Sequence, residues 1–321
     1  MIRDSRIAKY RRMLAEAPHY EAWKAAALEL DFLEGNAEWK EAFASDLYHY
    51  ELIHDRLSSL KQYRQHNDFE RLKRALREGL HHDLGNMGNP ALYTRSRVGT
   101  KHLIEEYITQ VCESLDFLCD HPVPGFPLAD KLQFFRDTLT SYGRPALLLS
   151  GGATLGMFHF GVIKALWEKG LLPQVIAGSS IGAVIAGILG VHTDAEVPDM
   201  LVPENHNLKA WNYLRKRVRP ELLRQVSGQL YTIMAQRYSG DVTIAPSYRP
   251  ADFRRMLSNP DPDYIRRMIL AGERATWPKI SMIRSHARIS KTLERCVRRL
   301  KQRSRRTVAL RLVTDAGPGA S

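Results

Sequence analysis

Leu172-Pro173-Gln174-Val175-Ile176-Ala177-Gly178-Ser179-Ser180-Ile181-Gly182, followed by the apolar run Ala183 to Leu189, is the stretch that decides the fold. A short apolar run ends in a glycine turn and passes at once into an apolar helix. The same order occurs just upstream. Pro145-Ala146-Leu147-Leu148-Leu149-Ser150 stops at Gly151-Gly152, and Met157 to Lys169 then reads as a helix stopped by Gly170. Continuous apolar runs of this length suit strands buried on both faces of a parallel sheet. Strand, helix, strand, helix is the order of an α/β domain.

The second turn carries chemistry. In a nucleophile elbow a serine sits on a sharp strand-to-helix turn, and the residues two before and two after it must be small because neighbouring backbones approach too closely for a side chain. Gly178 and Gly182 fill those positions around Ser180. The helix beginning at Ile181 aims its N-terminus at the serine, where backbone N–H groups stabilise negative charge. In the first turn, Ser150-Gly151-Gly152-Ala153-Thr154-Leu155-Gly156, glycines leave N–H groups free to face an oxyanion. A dinucleotide loop fits worse. Ala153 breaks the glycine spacing, the run Val175-Ile176-Ala177 ends in glycine rather than an acidic residue, and no Gly-Lys-Ser/Thr follows. An oxyanion loop at Gly151, Gly152, Ala153 and Gly156, preceding a nucleophile at Ser180, accounts for both turns together.

Working outward, residues 1 to about 120 read as charged helices, with apolar residues at three- and four-residue spacing. Gly35-Asn36 interrupts them. One pattern runs from Leu47 to about Leu80, the segment 85–90 is a loop, and a helix covers Lys101 to Cys119. Three prolines within His121-Pro122-Val123-Pro124-Gly125-Phe126-Pro127 mark a boundary. Beyond the core, Trp211 to Met234 reads as a basic helix, Gly240 to Pro246 as extended, and the chain from Ala251 as helical. A helix over Ile280 to Leu300 then ends in Lys301-Gln302-Arg303-Ser304-Arg305-Arg306. The expected division is a helical domain (1–125), an α/β core (126–240, shortened after 190), a helical segment (241–300) and a basic tail (301–321).

Composition bounds the partners. Of the 321 residues, 44% are hydrophobic, as in a folded globular chain, and 47 Lys+Arg against 35 Asp+Glu leave a formal charge of +12. That surplus favours an anionic surface, either nucleic acid or phospholipid headgroups. Around the run Arg295 to Arg306 there is no recognised nucleic-acid motif, so nucleic acid is not expected. Three cysteines without metal-ligand spacing, Cys112, Cys119 and Cys296, fit buried free thiols in a reducing compartment, with no metal and no cofactor. No secretory leader is expected from the N-terminal residues, and the longest apolar stretch, Ile181 to Val191, falls short of the ~20 residues of a membrane span. A soluble or peripheral protein on the cytosolic side is expected.

The two glycine turns together resemble those of the patatin-like phospholipases, in which an oxyanion loop precedes a GxSxG serine by a few tens of residues. The likeness is closest to the branch of triacylglycerol lipases with a helical domain ahead of the patatin domain. It extends to the segments 30–40 and 48–53 and to Gly272-Glu273-Arg274-Ala275-Thr276-Trp277-Pro278-Lys279. The resemblance implies a three-layer α/β/α core, a Ser-Asp dyad, hydrolysis of acyl esters in neutral lipids or phospholipids, and work at a membrane or lipid-droplet surface.

The family's aspartate lies in an Asp-Gly-Gly/Ala/Ser turn downstream of the serine, and here that turn is missing from its place. Only 58 positions separate Gly182 from Gly240, too few for the remaining strands, helices and aspartate loop. Asp194, Asp199 and Asp241 lack a following glycine. Asp315-Ala316-Gly317, after the strand-like Val308 to Val313, is a weak candidate partner. The simplest expectation is a chain without the family's central segment, through splicing, a gene-model error or decay. The alternative function is then a catalytically impaired lipid- or membrane-binding remnant. His159 precedes the serine, against the order of a Ser-His-Asp triad, and is expected to be structural.

Overall fold

The computed structural model describes residues 2–201, 240–247 and 261–315. The expected helix Trp211–Met234, the expected helix start at Ala251 and the Ala316-Gly317 pair after Asp315 lie outside them.

Helices precede the first strand: α1 (Ile2–Glu16), α2 (Tyr20–Leu33), α3 (Asn36–Glu41), α4 (Tyr50–Gln65), α5 (Phe69–Glu78), α6 (Ala91–Thr94), α7 (His102–Asp120) and α8 (Leu128–Tyr142). The single pattern expected over Leu47–Leu80 is two helices. Asn67 takes a positive φ of 52°, and the Asp68 carboxylate accepts from the Arg71 N–H at 3.1 Å, which caps α5 and starts it afresh. Next come β1 (Ala146–Leu149), α9 (Phe158–Glu168), β2 (Val175–Gly178), α10 (Ile181–Gly190), α11 (Val197–Leu201), α12 (Pro262–Thr276) and α13 (Ile280–Asp315). The architecture is an α/β core with a helical domain ahead of it.

The chain forms two compact units. The helical one comprises Met1–Tyr10, Ala27–Pro145 and Ser281–Ser321, and the α/β one Arg11–Ala26 and Ala146–Ile280. In the helical unit the segment that begins at Leu30 is built around a buried carboxylate. Asp31 accepts from the backbone N–H groups of Arg97 (3.0 Å) and Val98 (3.1 Å), from Ser96 Oγ (2.8 Å) and from Asn36 Nδ2 (3.1 Å). Burial opposes its ionisation, but these donors outweigh burial and hold its pKa below the usual carboxylate range. In the same unit the buried Lys101 ammonium donates to the carbonyls of Trp39 (2.6 Å) and Ala42 (2.7 Å) and lies 4.5 Å from the centre of the Trp39 ring.

Helix α13 packs on α7 within this unit, with Cys119 and Cys296 buried between them. It also corrects an expectation. Val308 to Val313 is helical, because no Gly or Pro interrupts the chain between Ile280 and Asp315 and a formed helix propagates until something stops it.

In the α/β unit β1 and β2 pair in parallel, Ala146 opposite Val175 and Leu149 opposite Gly178. Helix α10 packs against both strands. The expectation that both strands are buried on both faces is overturned. Leu149 is buried, but Leu148 is 64% exposed and Val175 45% exposed. An apolar run records a strand suited to two covered faces, whereas covering each face needs another layer of chain. Helices α9 and α12 cross at two glycines. A Cβ at Gly161 would lie 1.8 Å from the Ile269 carbonyl oxygen, and one at Gly272 2.2 Å from that of Phe158. Only glycine permits this approach. Lys164 and Glu273 pair across the crossing at 2.8 Å.

Candidate active site

The parallel register sets the site. Because Leu149 faces Gly178, the chains that follow them leave the same ends of adjacent strands. Pairing continues one step further, with the Ser179 N–H donating to the Leu149 carbonyl at 3.0 Å. The first chain becomes the expected oxyanion loop and the second the elbow, side by side. A Cβ built on Gly151 would lie 3.3 Å from Cβ of Ser180. Ala153 and Gly156 belong to a 3-10 turn, Ala153–Met157, and Gly156 sits against the Ile181 side chain. The structure therefore brings together the loop and the elbow that the sequence nominated.

Ser180 is exposed and has φ 51° and ψ −123°, a conformation that an L side chain adopts only where its surroundings enforce it. The enforcement is visible on both sides. A Cβ at Gly178 would meet the Gly182 carbonyl at 2.3 Å, and one at Gly182 would meet the Leu149 carbonyl oxygen at 2.3 Å. Larger residues at either position would drive the strand end and the helix start apart, and the turn would open. Ser180 caps α10, its carbonyl accepting from Ala183 N–H at 3.0 Å. The N–H of Ile181, first in the helix, has no intrahelical acceptor, so it is available to an anion beside the serine.

The oxyanion loop is held from below. His159 on α9 is buried, and its Nε2 lies 2.8 Å from the Ser150 carbonyl oxygen. A carbonyl only accepts, so Nε2 carries the proton and donates. Burial pushes the His159 pKa down, against the opposing effect of this hydrogen bond, and keeps the ring neutral. Within one planar trans peptide the C=O and the next N–H point in opposite directions. Fixing the Ser150 carbonyl on His159 therefore turns the Gly151 N–H away from α9. Among the described residues, the N–H groups of Gly151 and Gly152 donate to no partner. Sequence reasoning had made His159 structural without finding its partner; the signal available was a histidine one helical turn after the glycine loop.

No described residue of its own unit hydrogen-bonds the Ser180 hydroxyl. Asp194, Asp199 and Asp241 are exposed. Asp315 ends helix α13, in the helical unit. Among the described residues no group of His, Cys, Asp or Glu is arranged to hold a metal ion, and no helix is long and apolar enough to cross a membrane.

Comparison with known proteins bears on this geometry. A family model described as patatin-like phospholipase matches residues 147–271, which contain both glycine turns and the whole of α9. These residues therefore form a patatin-like phospholipase domain. A second model, described as a domain of unknown function (DUF3336), matches residues 1–140, ahead of the patatin-like domain. Triacylglycerol lipase 4 of Saccharomyces cerevisiae is 42% identical over 206 residues, 64% of this chain and 22% of that protein. Triacylglycerol lipase ptl1 of Schizosaccharomyces pombe is 40% identical over 178 residues, 56% of this chain and 32% of its own length. Triacylglycerol lipase SDP1L of Arabidopsis thaliana is 38% identical over 205 residues, 64% of this chain and 25% of its own length. The chain thus spans about a fifth to a third of the length of these curated relatives. No solved structure gives a significant match.

Proposed function

We propose that this chain is a carboxylic ester hydrolase that cleaves acyl esters of neutral lipids or phospholipids, with Ser180 as nucleophile. The observation that carries the reading is the strained backbone of Ser180, beside Gly151 of a loop in which the N–H groups of Gly151 and Gly152 donate to no partner among the described residues. Attack by Oγ on an ester carbonyl places negative charge on the carbonyl oxygen. The N–H groups of Gly151, Gly152 and Ile181 stabilise it in a position prepared before the reaction begins. The names of the relatives support a lipid ester as substrate. Peripheral attachment at the cytosolic face of a membrane or lipid droplet fits the surplus of basic residues, and nucleic acid is not part of this reading.

The base of the dyad is the separate question. Asp315 is the aspartate nominated by its Asp-Ala-Gly sequence. The second reading, a lipid-binding remnant without a base, is favoured by the exposed sheet residues Leu148 and Val175 and by the short interval between Gly182 and Gly240. Labelling with a fluorophosphonate ester decides on the nucleophile. Modification of the wild type but not of Ser180→Ala is expected, and a folded wild type that takes up no label refutes it. Turnover of a triacylglycerol or phospholipid emulsion that is lost in Asp315→Asn identifies the base. Turnover unchanged in that variant removes Asp315, and labelling without turnover selects the remnant.

A further inference from the structure

Helix α13 carries eleven Lys and Arg and two acidic residues, Glu294 and Asp315. Six of its cations form two rows with different fates. Arg295, Arg299 and Arg303, four residues apart, turn toward α7 and are paired with acids there. Arg295 reaches Asp116 at 2.8 Å, Arg299 bonds both Asp116 and Asp120 (the latter at 2.8 Å), and Arg303 reaches Asp120 at 2.7 Å.

The second row is Arg298, Lys301 and Arg305, spaced by three and four. All three are exposed, and none pairs with an acidic side chain among the described residues. At about 100° per residue this row is centred about 130° around the helix from the first and spans about 10 Å along it. Like charges at these spacings repel one another across a helix surface. Glu294, the nearby acid on the same helix, is itself bound to Arg144 at 3.2 Å. Every member of the first row thus has an acidic partner, whereas the other row lies along the helix facing solvent.

We infer that the row Arg298–Lys301–Arg305 is a docking surface for anionic phospholipid headgroups. Three unpaired cations in line on a straight helix meet a flat, negatively charged plane all at once. Nothing in 294–307 is aromatic, so the row lacks the side chains on which unpaired bases stack. The inference rests on the lipid-surface reading above and assigns that contact to particular residues.

The experiment is sedimentation of the full chain with phosphatidylcholine vesicles, either neutral or containing about one third phosphatidylserine. Two triple variants are compared. R298Q/K301Q/R305Q removes the row. R74Q/R77Q/R136Q removes three exposed cations of α5 and α8 that have no acidic partner among the described residues, giving the same change in net charge. The row variant is expected to partition to the anionic vesicles roughly 100-fold more weakly, and the control to remain within about threefold of wild type. Equal losses in both variants overturn the inference in favour of net charge alone. Equal binding of wild type to neutral and anionic vesicles overturns it too. So does a loss confined to affinity for a short DNA or RNA duplex, which would make the row a nucleic-acid surface. Fluorophosphonate labelling of Ser180 in solution reports separately on the hydrolase, so failure of either idea is recognisable by itself.

Discussion

His159→Phe tests whether the oxyanion loop is prepared in advance or formed on contact with substrate. The ring volume is roughly kept, so the site beneath Ser150 stays filled, but the donor that bonds the Ser150 carbonyl at 2.8 Å is lost. That carbonyl is then left without its partner in a half-buried setting, and about 1 kcal/mol of stability, the low end for an unpaired buried acceptor, is at risk. The peptide that joins Ser150 to Gly151 also becomes free to rotate, so the Gly151 N–H is no longer held away from α9. Loss of a single oriented oxyanion donor costs about 100- to 1000-fold. The N–H groups of Gly152 and Ile181 remain, which places the expectation near the lower figure, about 100-fold. The assay is the second-order rate of fluorophosphonate labelling in variants shown to be folded by circular dichroism. His159→Gln, whose amide can donate toward the same carbonyl, is expected to recover most of the rate, which a purely steric role would not allow. A folded His159→Phe that labels at the wild-type rate would refute the reasoning.

Ser180→Gly removes the proposed nucleophile together with the strain of a side chain at φ 51°; thermal unfolding is expected to show a gain of about 1 kcal/mol while labelling disappears. Gly272→Ala forces a methyl group to within 2.2 Å of the Phe158 carbonyl, so α9 and α12 must separate and a loss of about 3 kcal/mol is expected in urea unfolding. In the helical unit Asp31→Asn keeps the shape but weakens the bonds from Arg97, Val98 and Ser96, at about 2–3 kcal/mol near neutral pH. Because the folded Asp31 pKa lies below the ordinary value, its stabilisation is present above the unfolded pKa and is lost as the pH falls toward the folded one. The gap between wild type and Asp31→Asn should therefore close in that acid window; a gap independent of pH would count against a charged Asp31.

The features legible in the sequence were those encoded over a few residues. Gly178 meets Gly182 and Gly152 meets Leu155 and Gly156, contacts between near neighbours in the chain, whereas Gly182 meets Leu149 and Gly151 meets Ser180 only once the two strands pair. The split of the Leu47–Leu80 helix at Asn67 was missed although it too is local, because an asparagine with positive φ leaves a weaker mark than glycine. The burial of the strands was misjudged for a different reason. Leu147 and Leu148 look alike as letters, and which of them is covered depends on the layers the rest of the chain supplies.

By itself, then, the sequence determined an α/β core, the elbow at Ser180 and the loop beside it, since backbone conformation at a tight turn follows from which positions lack a side chain. Tertiary structure alone decided the pairings of residues far apart in the chain. Asp31 meets Arg97, Gly161 meets Gly272, and Lys164 meets Glu273. In α13 the repeat of arginines is read easily, yet only packing against α7 separates the cations that are neutralised from those that are not. Charge and hydrophobicity belong to each residue, whereas what faces it belongs to the fold.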